Sequence, residues 1–234
     1  MTRAAATLVA ALSMTPAALA FGIGGDNGVA FHGSVQADVL FPKEDDEIGT
    51  GKYDSDILFN TYADLNLISR HIDAGIRAEF MKWPLPGYEE GFAGWGVPNI
   101  YVKGRYKGLE LTAGDFYEQF GAGFILRSYQ ERSLGIDNSI RGGRLKISAI
   151  PGVRLTALGG LQRRYWHWKT ASQVYGADAE LVLQDIFKGL RSRELSWTFG
   201  LSYVLKHEKD QEIMVDGHDW RLNLPENVSA FDIR

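Results

Sequence analysis

The chain has 234 residues, 25 Lys and Arg against 29 Asp and Glu, a formal net charge of −4, 27 Gly and no Cys. The missing cysteines exclude a disulfide scaffold, a zinc–thiolate site, a cysteine nucleophile and a lipoprotein anchor. The charge gives no global electrostatic basis for nucleic-acid binding, and a 45% hydrophobic composition excludes wholesale disorder.

Residues 1–20 have the layout of a secretory signal peptide. Arg3 is a short positive region, residues 4–14 are apolar and small, Pro16 breaks the segment, and Ala18-Leu19-Ala20 matches a small-residue cleavage site. The apolar run is too short to cross a bilayer as a helix, and no later run approaches that length. The expectation is an exported chain, with residues 1–20 as the signal and 21–234 as the folded part. Removal of Arg3 would leave 24 basic against 29 acidic residues.

The rest of the chain alternates with period two. Phe31, Gly33, Val35, Ala37, Val39 and Phe41 fall on one face, and His32, Ser34, Gln36, Asp38 and Leu40 on the other. Ile57–Leu67 separates Phe59, Ala63 and Leu65 from Asn60, Tyr62 and Asp64, and Ile72–Met81 separates Ile76 and Phe80 from Asp73, Arg77 and Glu79. A helix would mix these sets, whereas a strand keeps them apart. Further strands are expected at 100–107, 109–114, 144–149, 153–162, 177–183 and 195–206, and another near Val228. The predicted fold class is all-β, an antiparallel up-and-down meander of nine to ten strands.

Connection lengths alternate. Ser69-Arg70-His71, Lys107-Gly108 and Pro151-Gly152 are hairpin-sized turns. Residues 42–56, 84–98, 116–139, 165–174 and 208–227 form longer loops, and only the 184–194 link departs from the pattern. In a meander, alternate connections lie at the same end. Tight turns at one end and long loops at the other are the asymmetry of outer-membrane barrels.

A soluble sandwich also alternates, with its apolar side inward. Three features favour the opposite sidedness, in which this sheet is part of a transmembrane β-barrel. The strands are long enough to cross a bilayer when tilted. Aromatics stand near strand ends, with Phe41, Trp83, Tyr101, Tyr106, Trp166 and Trp168 as candidates for interfacial girdles. The signal peptide supplies a route. The polar faces then look into the lumen, carrying Asp38, Asp64, Asp73, Arg77, Glu79, Lys103, Arg105, Glu110, Arg144, Lys146, Asp178 and Glu180. Asp73, Arg77 and Glu79 read as an ion-pair ladder along one strand, because unpaired charges in a dry lumen cost several kcal/mol each.

Four connecting stretches carry further information. Asp115–Arg144 is too long for a structureless connection. It reads as a segment folded into the lumen, with Arg127, Glu131, Arg132, Asp137 and Arg141 meeting the charged strand faces or an anion. Trp83–Pro98, rich in Pro, Gly and aromatics, reads as a compact rim loop. The acidic loop with Asp45, Asp46, Glu47, Asp54 and Asp56 lacks calcium-site spacing and reads as solvated. Arg163-Arg164-Tyr165-Trp166-His167-Trp168-Lys169 reads as a strand end facing lipid or lipopolysaccharide headgroups.

None of the five His residues stands in a recognised catalytic motif. No catalytic residue, metal or cofactor is assigned. The expected function is non-enzymatic, as a porin-like passage for small solutes or a structural component in the outer membrane. The alternatives are a docking scaffold for an envelope or secretion partner with a plugged lumen, and a lipid hydrolase using His32 or His167.

Four runs carry a resemblance: Phe31–Gln36, Tyr88–Pro98, Glu110–Tyr117 and Arg132–Ser139. They resemble a Bacteroidota-type outer-membrane barrel family of unassigned function. The resemblance spans most of the chain beyond the signal and implies the same fold and location. It brings no catalytic or ligand residues. It also implies longer members, so the sequence ending Phe231-Asp232-Ile233-Arg234, without a terminal aromatic, reads as an N-terminal fragment.

Overall fold

Among the described residues eleven antiparallel strands form one sheet, each bonded to its neighbours in chain order. The computed structural model describes residues 19–23, 28–43, 47, 53, 55–166, 168, 172–190, 196–208 and 226–234. The strands are β1 (Leu19–Ile23), β2 (Val29–Leu40), β3 (Leu58–Ile68), β4 (Ile72–Trp83), β5 (Gly94–Tyr106), β6 (Leu109–Phe116), β9 (Ile140–Ile147), β10 (Val153–Gln162), β11 (Gln173–Val182), β12 (Thr198–His207) and β13 (Asn227–Ile233). Between β6 and β9 the chain makes a separate short hairpin, β7 (Gln130–Glu131) with β8 (Ile136–Asp137). Among the described residues helix is confined to one α-turn, α1 (Leu183–Ile186), and three 3-10 turns. Among the described residues β1 bonds only to β2 and β13 only to β12.

The expected alternation of short and long connections holds except at the link between β11 and β12, the exception already visible in the sequence. Residues 24–28, 69–71, 107–108, 148–152 and 183–197 join strands at one end, and residues 41–57, 84–93, 117–139, 163–172 and 208–226 join them at the other. That 183–197 link lies on the tight-turn side and contains α1.

Several strand bounds differ from expectation: β9 begins at Ile140 and β11 at Gln173, earlier than the expected 144 and 177, β12 begins at Thr198 rather than 195, and β1 is a strand the alternation did not announce. β1 includes Leu19 and Ala20, which the signal-peptide reading removes. β5 begins at Gly94, although Gly94-Trp95-Gly96-Val97-Pro98 reads as loop. The physical reason is a bulge: the β4–β5 register shifts between Arg77 and Glu79, which pair with Asn99 and Gly96. Val97 and Pro98 together stand opposite the single residue Ala78, so Pro98, which has no N–H to give, occupies no paired position in the β4–β5 ladder.

The two faces of the sheet are opposite in character. Along the bare face Val35 is 61% exposed, Leu111 58% and Phe231 72%, in company with Leu65, Ile76, Ile100, Phe199 and Leu201. Along the covered face Asn60, Glu79, Thr112, Arg144 and Ser202 are buried. Two apolar clusters lie on the covered face. Phe116, Ile140, Leu158, Val174 and Val204 pack with Phe120 and Leu126 from the β6–β9 connection, and Tyr62, Met81 and Phe92 pack with Tyr88 and Tyr165. The sheet thus buries its charged side and leaves its apolar side open, the reverse of a soluble sandwich.

Candidate functional site: a charged layer beneath residues 117–139

Residues 117–139 lie against the covered face because apolar anchors and tight turns set them there. Phe120 and Leu126 insert beside Ile140 and Leu158, and the Phe120 N–H donates to the Leu126 carbonyl. A Cβ at Gly176 would come within 2.8 Å of the Phe120 ring, so that sheet position has no room for a larger residue. Gly135 ends the short 3-10 turn Arg132–Leu134 with φ 65°, a left-handed conformation that favours glycine.

Arginine–carboxylate pairs hold this segment to the sheet. Arg132 donates through Nη2 to Asp64 on β3 at 3.0 Å and through Nη1 to Gln36 on β2 at 2.7 Å, and its guanidinium lies 4.1 Å from the Tyr62 ring centre. Arg77 on β4 donates through Nε to the other Asp64 oxygen at 2.8 Å and lies 3.6 Å from both Glu79 and Asp137. Arg163, from the β10–β11 connection, reaches Glu79 at 3.1 Å and Asp137 at 2.5 Å. The side chains of Arg163 and Glu79 are each 1% exposed. Three guanidinium groups thus meet three carboxylates, and this balance permits burial. Tyr117 donates to Asp137 at 3.0 Å, and burial pushes its phenol above the ordinary range.

Nearer the tight turns the pairs are Arg105 with Asp73 at 2.5 Å, Arg144 with Glu110 at 2.9 Å and Glu118 at 3.0 Å, and Lys146 with Glu118 at 2.7 Å. Arg154 pairs with Glu180 at 2.7 Å, and Arg234 with Asp178 at 2.6 Å. Asp38 accepts from the Gln36 amide at 3.0 Å.

Several expected placements need correction. Asp73, Arg77 and Glu79 do not chiefly pair along their own strand; their closest partners are Asp64 directly opposite Arg77 on β3, Arg105 diagonal to Asp73 on β5, and Arg163 from the β10–β11 connection for Glu79, because cross-strand and overlying side chains approach more closely than those two residues apart on one strand. Of the loop residues, only Arg132 and Asp137 join the buried network. Arg127 is exposed, bridges backbone to backbone with Gln119 and stacks on Tyr129. Glu131 caps its own 3-10 turn through Ser133. Arg141 pairs with Asp115 at 2.8 Å, and Asp115 also accepts from the Ile100 N–H at 2.7 Å just beyond the last paired residues of β5 and β6.

The aromatics divide similarly. Phe41 and Tyr106 are exposed, and Trp83 stands edge-on to Phe59. Tyr101 is a correction: its ring lies on the covered face above Gly75, with its hydroxyl donating to Asn66 at 3.3 Å, because it shares the parity of Lys103. The Trp166 indole donates to the Phe92 carbonyl, and Trp168 stacks on Arg141 at 4.0 Å. Arg163 turns inward to the acids, away from any headgroup position. The 84–93 loop is drawn into the same layer, its Tyr88 hydroxyl donating to the Arg132 carbonyl at 2.6 Å and raised in pKa by burial.

His32 is exposed, whereas His167, Lys169, Asp45, Asp46 and Asp54 lie outside the described residues. No described helix is long and apolar enough to cross a membrane.

Two cavities adjoin the charged layer. One of about 740 Å³ opens at the tight-turn end, among Arg70, Lys107, Glu110, Lys146, Arg154 and Glu180. Another of about 320 Å³ is lined by Asp64, Asn66, Arg77, Tyr101, Lys103, Thr112, Tyr117 and Arg144. The sequence signal that could have located this layer was the coincidence of acidic strand faces with an arginine-rich connection.

A family model matches residues 1–234 throughout. The chain belongs to a family of unknown function, DUF6029. No curated protein matches this DUF6029 chain. No solved structure matches it either.

Proposed function

We propose that the chain forms the wall of an outer-membrane β-barrel, exported by its N-terminal segment, with residues 117–139 and 163–166 narrowing the lumen. One observation carries this reading: a continuous sheet exposes Val35, Leu65, Ile76, Leu111, Leu201 and Phe231 on one face and buries paired charges on the other. Soluble monomers rarely expose contiguous apolar patches beyond a few hundred Å². In hydrocarbon the same face is the favourable one, and antiparallel pairing keeps the backbone groups within the sheet satisfied. Strands of 12 and 13 residues in β2, β4 and β5 reach across a bilayer when tilted.

The role is passage of small solutes, with the inner segment as the constriction. The protein reconstituted in planar bilayers is expected to give small conductance steps. Failure to insert into lipid, with the chain recovered in the aqueous phase, contradicts the membrane reading; insertion with no conductance or solute flux contradicts passage. A second reading, a plugged docking scaffold, draws support from the buried Glu79–Asp137–Arg163 lock. Crosslinking in native membranes that recovers a stable envelope partner, together with zero conductance, would favour it.

A further inference from the structure

The 320 Å³ chamber contains two under-used cationic donors. Lys103, Thr112 and Arg144 form one cross-strand row, since Lys103 pairs in register with Thr112 and Thr112 with Arg144. Arg144 spends its Nη1 on the Tyr117 carbonyl and Glu118, and its Nη2 on Glu110 and Thr112. Its Nε, fully buried, has no hydrogen-bond partner among the described residues. A buried guanidinium N–H left unpaired is costly, and an acceptor oxygen removes that cost. Lys103 is the second donor. Its ammonium lies 3.8 Å from Asp73, but Arg105 already holds both Asp73 oxygens, at 2.5 and 2.7 Å.

The acids that line the chamber are already engaged. Asp64 gives one oxygen to Arg77 and the other to Arg132. Asp115 gives both of its oxygens to Arg141, one of them also to the Ile100 N–H. What the walls still offer is donors: the Lys103 ammonium and the Thr112 hydroxyl, with the Arg144 guanidinium and its unpaired Nε directly behind Thr112. The volume is about that of ten waters at roughly 30 Å³ each, enough for a small solute.

We propose that this chamber is a binding site for a small oxyanion, a phosphate- or carboxylate-sized group, held between Lys103 and Arg144 over Thr112. The site deepens the reading of the covered face as a solute path, and it makes that path one that favours anions.

The test is calorimetric titration of the full chain in detergent with inorganic phosphate, with acetate and glucose as separate arms, at constant ionic strength. Saturable phosphate binding is expected, with acetate weaker and glucose silent. Lys103→Gln is expected to weaken phosphate about tenfold or more, from loss of a charge-assisted bond. Lys107→Gln, an exposed cation at the adjacent turn, should leave it unchanged. Thr112→Val gives a second, charge-neutral probe of the row and should weaken binding without altering the fold's circular dichroism. Absence of phosphate saturation, equal affinity in Lys103→Gln, or glucose binding in place of phosphate overturns the site. Because the titration needs no bilayer and no conductance, a silent chamber in a folded sample leaves the barrel reading standing, and failure to insert into lipid leaves the chamber standing.

Discussion

Arg163 and Glu79 meet at 3.1 Å although they lie 84 positions apart, and each side chain is 1% exposed. This pair ties the β10–β11 connection to the middle of β4, and Asp137 brings the β6–β9 connection into the same contact. Removing Arg163 leaves Glu79 with only the more distant Arg77 at 3.6 Å, and removing Glu79 leaves Arg163 with the Asp137 carboxylate. Breaking a buried pair typically costs about 3–5 kcal/mol, and the remaining partner places these changes toward the low end. Arg163→Ala or Glu79→Ala should therefore lower the guanidinium unfolding midpoint in detergent sharply. The double change Glu79→Leu with Arg163→Met should cost less than the two single losses summed. Strict additivity would show that the pair is not a coupled lock.

Arg132 is the most accessible fastener of the inner segment. It is partly exposed and holds Asp64 and Gln36 from two neighbouring strands. Arg132→Ala should loosen residues 130–138 without unfolding the sheet. The expected outcome is faster limited proteolysis within that segment and larger unitary conductance in planar bilayers. Unchanged conductance alongside increased cleavage would place the constriction elsewhere.

Gly75 gives a local test of packing on the covered face. A Cβ there would stand 2.5 Å from the Tyr101 ring and 2.5 Å from the Asn66 side-chain oxygen. Gly75→Ala should cost about 1–3 kcal/mol, the usual range for overpacking. Tyr101→Leu on that background should recover part of the loss by withdrawing the ring. A neutral Gly75→Ala would mean that the ring is free to move aside.

Most strands, and which residues share a face of the sheet, were legible because period-two alternation is a local signal that needs no partner, whereas β1 was hidden within the apolar N-terminal segment. The eye finds Val35 opposite Gln36 in a single run. β5 was shortened because Gly94, Gly96 and Pro98 are loop residues by composition, and the bulge that accommodates Pro98 exists only opposite β4. The charged residues were identifiable as a set, but their pairing was not. Glu79 finds Arg163 across 84 positions, a non-local choice that spacing does not encode. Arg127 and Arg132 look alike in sequence; one is exposed and the other reaches Asp64, because only the latter sits on the short hairpin that turns toward β3.

The bare face makes a prediction that separates lipid from water. Val35 is 61% exposed, so in an aqueous protein Val35→Arg would be close to neutral, within about 0.5 kcal/mol. Facing hydrocarbon near mid-strand, the same change should cost about 2–4 kcal/mol. Unfolding from lipid vesicles against denaturant measures the difference.

The central claim is sidedness, and the absence of cysteine makes it directly measurable. Single cysteines at Val35, Ile76 and Phe199, and at Asn66 and Glu110 on the opposite face, can each carry one nitroxide in lipid vesicles. The account predicts that the first three are relaxed by oxygen and shielded from a water-soluble nickel complex, with the reverse at Asn66 and Glu110. Nickel access at Val35, Ile76 and Phe199 equal to that at Asn66 and Glu110 would contradict it.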